Sequence, residues 1–147
     1  MWCPEYAREY LQARGNAYQY ENILEIARGQ IRLEEEYIGR SRGKEYLFID
    51  TDMYVMKVWS EFVFGKCHRF ILDQVLVRRY DHYLLCNTEL PWRPDELREY
   101  PELETRMILY NIYKDIMVNQ ETPWTEITGM EEQRVQMAIG TIDKLSV

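Results

Sequence analysis

Histidine is nearly absent from this chain, cysteine is scarce, and basic residues are outnumbered. Two His and three Cys in 147 residues leave Cys67-His68 without partners at zinc-ligand spacing, so no zinc site is expected there. The three cysteines (Cys3, Cys67 and Cys86) are odd in number and widely spaced. That pattern fits reduced thiols in a cytoplasmic protein rather than a disulfide framework. Eighteen Lys and Arg face 25 Asp and Glu, for a net charge of −7. A nucleic-acid binder needs a basic face, and this balance argues against one. A small phosphorylated ligand stays possible, because a few convergent arginines suffice to hold it. No uncharged run approaches the ~20 residues that cross a bilayer. The start, Met-Trp-Cys-Pro-Glu, has no basic region before an apolar stretch, so no secretory leader is expected. No Gly-x-Ser-x-Gly elbow and no Cys–His pair in a nucleophile setting is present. No repeat and no low-complexity tract interrupts the chain.

What remains is one domain's length of mixed sequence, 46% hydrophobic and 29% charged, read as a single domain over residues 1–147. The pattern predicts a short helix over 5–14, with Pro4 in its first turn and Gly15-Asn16 as its stop. A long helix over 20–40 follows, with Ile23, Ala27 and Ile31 as its apolar stripe and 34–36 as its solvated part. Tyr46-Leu47-Phe48-Ile49 reads as a short buried strand. A helix over 53–64 presents Val55, Trp59, Phe62 and Val63 on one face. After Gly65 another helix runs to about 79, and Tyr83-Leu84-Leu85-Cys86 reads as a second buried strand. Three prolines make 87–101 largely a loop. A helix over 102–119 places Leu109, Ile112, Tyr113 and Ile116 together. A strand over 124–128 precedes a last helix over 131–146, with Val135, Ala138, Ile139 and Ile142 inward. Strands alternating with helices predict an α/β fold with a largely parallel sheet. Ligands of such sheets sit at the carboxyl ends of strands.

Three segments there could carry chemistry. Asp50-Thr51-Asp52 ends an apolar strand, where phosphoryl-transfer proteins place the acid that holds Mg²⁺. The plain structural alternative is that Asp52 or Thr51 caps the helix beginning at Met53. Asn87 to Arg98 follows the second strand with two arginines and Trp92, and Arg106 lies on the next helix. Guanidinium groups on a mobile loop can stabilise phosphate charge and exclude water. The alternative is a surface loop, with Arg98 and Arg106 paired to Glu99 and Glu102. Glu5 and Arg8 share a face at i, i+3, which by spacing alone reads as a surface ion pair.

Taken together, Pro4-Glu5-Tyr6-Ala7-Arg8-Glu9-Tyr10, Phe48-Ile49-Asp50-Thr51-Asp52, Trp59, Tyr80-Asp81, Pro91-Trp92-x-x-Asp95-x-Leu97-Arg98 and Arg106 resemble a known family. It is the P-loop kinase-type domain found as the ribosylnicotinamide kinase half of bifunctional NAD-biosynthesis proteins and in related bacterial AAA-type ATP-binding proteins. The resemblance runs through Gly129 and Arg134. It implies a three-layer, P-loop NTPase-like parallel sheet with flanking helices. It implies ATP and Mg²⁺ as cofactors, with Asp50 as the acid near the metal and Asp52 close by. Glu5 and Arg8 would lie on the phosphate-acceptor side, with Glu5 orienting or deprotonating a ribose hydroxyl. Trp92, Asp95, Arg98 and Arg106 would form a lid over the nucleotide. The acceptor would be a small molecule, with nicotinamide riboside as the family precedent. The aromatic positions that sandwich its pyridine ring fall on Pro4 and near Ile31 here, which puts that specificity in doubt.

One departure is large. The family's Gly-x-x-x-x-Gly-Lys-[Ser/Thr] loop, whose amides cradle phosphates, occurs nowhere in these residues. Arg42-Gly43-Lys44 lacks the first Gly and the hydroxyl. The expectation is an amino-terminally truncated domain that lacks its central first strand and is inactive alone. It should show either a gapped sheet or direct pairing of the strands at 46–49 and 83–86, with exposed edges open to self-association. The rival expectation is a non-catalytic regulatory or protein-interaction domain built on the same fold.

Overall fold

The computed structural model describes residues 1–15, 17–41, 46–94 and 99–145. Asn16, Arg42 to Lys44, Asp95 and Arg98, all weighed above, lie outside the described residues. Among the described residues, six helices and four short strands fall into two compact units, Met1–Arg78 and Arg79–Val147.

In the first unit, β1 (Trp2–Cys3) leads into α1 (Tyr6–Gln12) and α2 (Tyr20–Ser41). β2 (Phe48–Ile49), α3 (Met53–Phe64) and α4 (Arg69–Val77) complete it. Apolar residues recurring at three and four make α2 the spine. Ile23, Ile26, Ala27 and Ile31 are buried along one stripe, and at 1.5 Å per residue the helix is about 33 Å long. α1 packs on this stripe through Ala7 and Leu11, one turn apart. The contact is close because Gly29 of α2 lies under the Tyr6 ring, where a Cβ would stand 2.0 Å from a ring carbon. α1 ends as expected, with Gly15 at φ +76°.

β1 is absent from the sequence-based expectation, because two residues show no period. It pairs in parallel with β2, Trp2 opposite Phe48 and Cys3 opposite Ile49. Cys3 is buried on the side where α2 packs against β1. Trp2 and Phe48 are 60% and 43% exposed. The strand at 46–49 is therefore shorter and less buried than its apolar run suggests: one face of a two-stranded sheet is covered and the other is not.

Asp52 caps α3, its side chain accepting from the Val55 backbone N–H at 3.0 Å. Asp52→Ala is expected to cost about 1 kcal/mol of stability, read as a lower urea midpoint, with Asp52→Asn close to wild type. Gly65, at φ +67°, closes the helix. The buried face of α3 is Met53, Met56, Val58 and Ser60. Phe62 and Val63, expected inward, are exposed. Ser60 is held by donating to the Lys66 carbonyl at 2.8 Å. Around it, Tyr18 meets Trp59 edge-on, its hydroxyl accepting from the indole N–H at 2.9 Å, and Tyr20 stacks on His68.

Glu34 corrects a second expectation. It is buried rather than solvated, and Arg78 at the end of α4 reaches it at 2.8 Å and Glu35 at 2.7 Å. The guanidinium turns a carboxylate on the apolar stripe into a buried tie between α2 and α4.

In the second unit, β3 (Tyr83–Cys86) and β4 (Trp124–Ile127) pair in parallel through four residues each. α5 (Leu103–Asn119) connects them and α6 (Glu131–Leu145) follows. The parallel arrangement agrees with the sequence. The direct pairing of 46–49 with 83–86 does not occur: β2 and β3 belong to separate two-stranded sheets. Burial here is sparse, with Met117, Ile127 and Arg134 its buried residues among those described. Val135 and Ile139, expected inward, are exposed. The 3.6-residue period is present in α6, but its turns extend past β4, the strand it packs on. Glu126 of β4 accepts from Tyr110 and from Lys114 at 3.0 Å, both on α5. These bonds hold the Glu126 carboxyl below its usual range, the Tyr110 bond first.

Candidate functional site

The carboxyl edge of the first sheet gathers two of the three candidate segments. Cys3 opposite Ile49 brings Pro4-Glu5 and Asp50-Thr51 side by side, and the Asp50 N–H donates to the Cys3 carbonyl at 3.3 Å. Asp50 is exposed, and its carboxylate has no hydrogen bond among the described residues. Asp52, buried beside it, is committed to its cap. The structural alternative, a cap on the helix beginning at Met53, therefore holds for Asp52. Glu5 stands at the N-cap position of α1, half-buried, without a side-chain cap bond. Arg8 is exposed on the same helix.

Gln30 holds Glu5 in place, and sequence reasoning missed it. Its wholly buried amide accepts from the Tyr6 N–H at 2.7 Å and donates to the Pro4 carbonyl at 3.3 Å. The two bonds clamp the backbone on either side of Glu5. The available signal was a polar residue between Ala27 and Ile31 on an apolar stripe.

Cys3 lies under this edge. Burial, with Glu34 and Asp50 adding to it, pushes its thiol up to about 11. Thiolate is the reactive form, so Cys3 is expected to resist alkylation while the chain is folded. Mass spectrometry after iodoacetamide at pH 8 should find exposed Cys86 labelled first and Cys3 only in denaturant. The folded state holds this proton more tightly than the unfolded chain. Its contribution is thus complete below pH 9 and is lost as pH rises toward 11.

The carboxyl edge of the second sheet carries the third segment. The Asn87 N–H extends the ladder to the Ile127 carbonyl at 3.1 Å. Glu89 accepts from the Gly129 N–H. Arg106 donates through Nη1 to the Leu90 carbonyl at 3.2 Å, and no described carboxylate pairs with it, contrary to the Glu102 alternative. Its Nε and the Trp92 Nε1 are buried with no hydrogen-bond partner among the described residues. Asp95 and Arg98, the other lid candidates, lie outside the described residues. Arg134, which the sequence reading used only to mark an extent, is buried and donates to the Asn87 side chain at 2.8 Å.

Two parallel strand pairs carry acidic and basic groups at their carboxyl edges, where ligands of parallel sheets sit. The family model of the AAA domain matches residues 1–134. The chain belongs to the AAA domain family. This is a P-loop NTPase type, whose proteins generally bind ATP with Mg²⁺. No curated protein matches the sequence. The AAA domain match spans both units and both carboxyl edges, so it covers all eight candidate residues.

The donors fit Mg²⁺ in part. Mg²⁺ takes one or two carboxylates and keeps waters and substrate phosphates as its other ligands. Asp50 is such a carboxylate, exposed and uncommitted. No group of three or more His, Cys, Asp or Glu that could hold a metal occurs among the described residues. The buried, partnerless donors of Trp92 and Arg106 call for an acceptor, and phosphate oxygens are one. No helix among the described residues is long and apolar enough to cross a membrane.

Proposed function

We propose that this AAA domain serves ATP-dependent phosphoryl transfer to a small molecule, of the nicotinamide riboside kinase-like type. The observation that carries the reading is the pairing of β1 with β2, which sets Glu5 beside the uncommitted Asp50. Asp50 would hold Mg²⁺, which supplies neutralisation of phosphate charge. Glu5 would orient or accept the proton of the acceptor hydroxyl, with Gln30 fixing its backbone. Arg8, and Asp52 through its backbone, would shape the acceptor side. Arg106 and Trp92, with Asp95 and Arg98 of the same segment, would face the nucleotide. Such chemistry is positioning and electrostatics rather than covalent catalysis.

None of the 147 residues forms a Gly-rich phosphate loop. The chain alone is therefore expected to bind ATP weakly and to turn none over. Titration calorimetry with ATP, with and without Mg²⁺, tests this. A weak heat signal that Asp50→Asn makes independent of Mg²⁺ supports the reading. Mg²⁺-dependent binding unchanged in Asp50→Asn removes Asp50 from it.

One observation favours the rival, a regulatory or protein-interaction domain. Leu103, Met107, Ile108, Val118 and Val135 are all exposed in the second unit. Light scattering separates the two: a concentration-dependent dimer with no ATP signal favours the interaction domain.

A further inference from the structure

A buried guanidinium needs a negative partner, because desolvating an ion costs several kcal/mol unless a counter-charge and hydrogen bonds offset it. Arg78, largely buried, obeys the rule, being held by Glu34 and Glu35. Arg134 does not. It is 9% exposed, and its guanidinium donates through Nη1 to Asn87 Oδ1 at 2.8 Å and through Nη2 to the Asn87 carbonyl at 3.3 Å. Both acceptors are neutral. No described carboxylate forms an ion pair with it, and the acids near it are engaged elsewhere. Glu89 takes the Gly129 N–H, Glu131 pairs with Arg93 at 3.0 Å, and Glu132 accepts from Gln136 at 2.8 Å. Arginine has five N–H donors, and only two are accounted for.

A second observation points the same way. The segment after β3 that Arg134 grips at Asn87 carries Trp92, whose buried indole N–H has no acceptor among the described residues. Arg106, tied to the same segment at Leu90, has a buried Nε–H that likewise meets no acceptor among them. Among the described residues, donors in excess of acceptors and a buried guanidinium with no carboxylate partner, at the carboxyl edge of a parallel pair, describe a place for an oxyanion.

We propose that Arg134 is the principal contact of an oxyanion site at the carboxyl edge of β3 and β4, and that its ligand is a phosphate group carried by a small molecule. A tetrahedral phosphate can take two parallel N–H bonds from one guanidinium while leaving the Asn87 bonds in place. The site goes beyond the kinase reading, which assigns Arg134 nothing, and stands without it.

Nitrogen-15 NMR of the arginine Nε–H groups in the 147-residue chain tests the proposal. The probes are inorganic phosphate and ATP, each against sodium chloride at matched ionic strength. The Arg134 resonance is assigned by its absence in Arg134→Lys. Asn87→Ala, which leaves the guanidinium in place but moves its resonance, gives the assignment if that variant does not fold. The expected result is a saturable shift of the Arg134 signal with phosphate and none with chloride. Arg134→Lys keeps the charge but loses the fork, so it should bind about tenfold more weakly. A signal that neither phosphate nor ATP moves overturns the proposal and leaves Arg134 a structural tie. A shift with phosphate but not with ATP supports the site and removes the nucleotide reading. ATP binding seen on other resonances, with the Arg134 signal fixed under phosphate as well, overturns the site.

Discussion

Replacing Arg78 by alanine is expected to destabilise the first unit by about 3–5 kcal/mol, the cost of removing one partner from a buried pair. The Glu34 side chain is 3% exposed, so its carboxylate would lose its counter-charge in a place water scarcely reaches. Glu35 would lose far less, since its side chain is 62% exposed and solvent screens it. The direction of the control is the informative part. Glu34→Leu together with Arg78→Leu replaces the pair by apolar groups of similar size and is expected to come close to wild type. A urea melt followed by tryptophan fluorescence reads both. If Arg78→Ala shifts the midpoint no more than an exposed pair such as Lys57 and Glu61 does when broken, Glu34 is solvated after all.

Gly29→Ala carries the other large expected effect. Alanine is the better helix former by about 1 kcal/mol, so on an open helix face it would stabilise. At Gly29 the new Cβ would lie 2.0, 2.3 and 2.5 Å from three atoms of the Tyr6 ring. No rotation of that Cβ is possible, so the ring or the whole of α1 must move. Overpacking of this kind costs about 1–3 kcal/mol, occasionally more, and outweighs the gain in helix propensity. Because α1 begins beside Glu5, the displacement also strains the Tyr6 N–H bond to Gln30. Tyr6→Ala in the same chain removes the obstruction, and the double variant should be more stable than Gly29→Ala alone. A double variant less stable than either single change would show that the two residues do not meet.

The first effect arises where the sequence pattern points the other way, and the second where it is silent. Glu34 looked solvated because Glu35 and Glu36 follow it, yet it falls eleven residues after Ile23, in register with the buried stripe. Gln30 sits in that stripe too. A helical period tells which positions turn inward, but not that a cation from α4 or a backbone from α1 will meet a polar group there. Gly29 gave no local signal at all, since its role is set by a ring 23 positions away. The same holds for Arg134: its charge is plain in the sequence, and that its described partners are the neutral groups of Asn87 is decided by packing.

The helices were legible because each carries its own evidence: apolar spacing, Asp52 before α3, Gly15 and Gly65 at left-handed ends. Strand β3 was legible because a short apolar run between turn signals leaves little else, and β4 because Trp124 to Ile127 stands between the turn signals at Pro123 and Gly129. The acidic end of β2 and the arginine-bearing loop after β3 were readable as chemistry for the same local reason. Strand pairing is not local. Whether Trp2 meets Phe48, which face of β2 stays open, and which carboxylates are already engaged depend on contacts far apart in the chain, and only the folded backbone brings those groups within bonding distance. Scarce histidine, scarce cysteine and the negative balance narrowed the chemistry to a few side chains. Tertiary packing then divided them, committing Asp52 to a helix end, leaving Asp50 exposed, and burying Arg134 against Asn87.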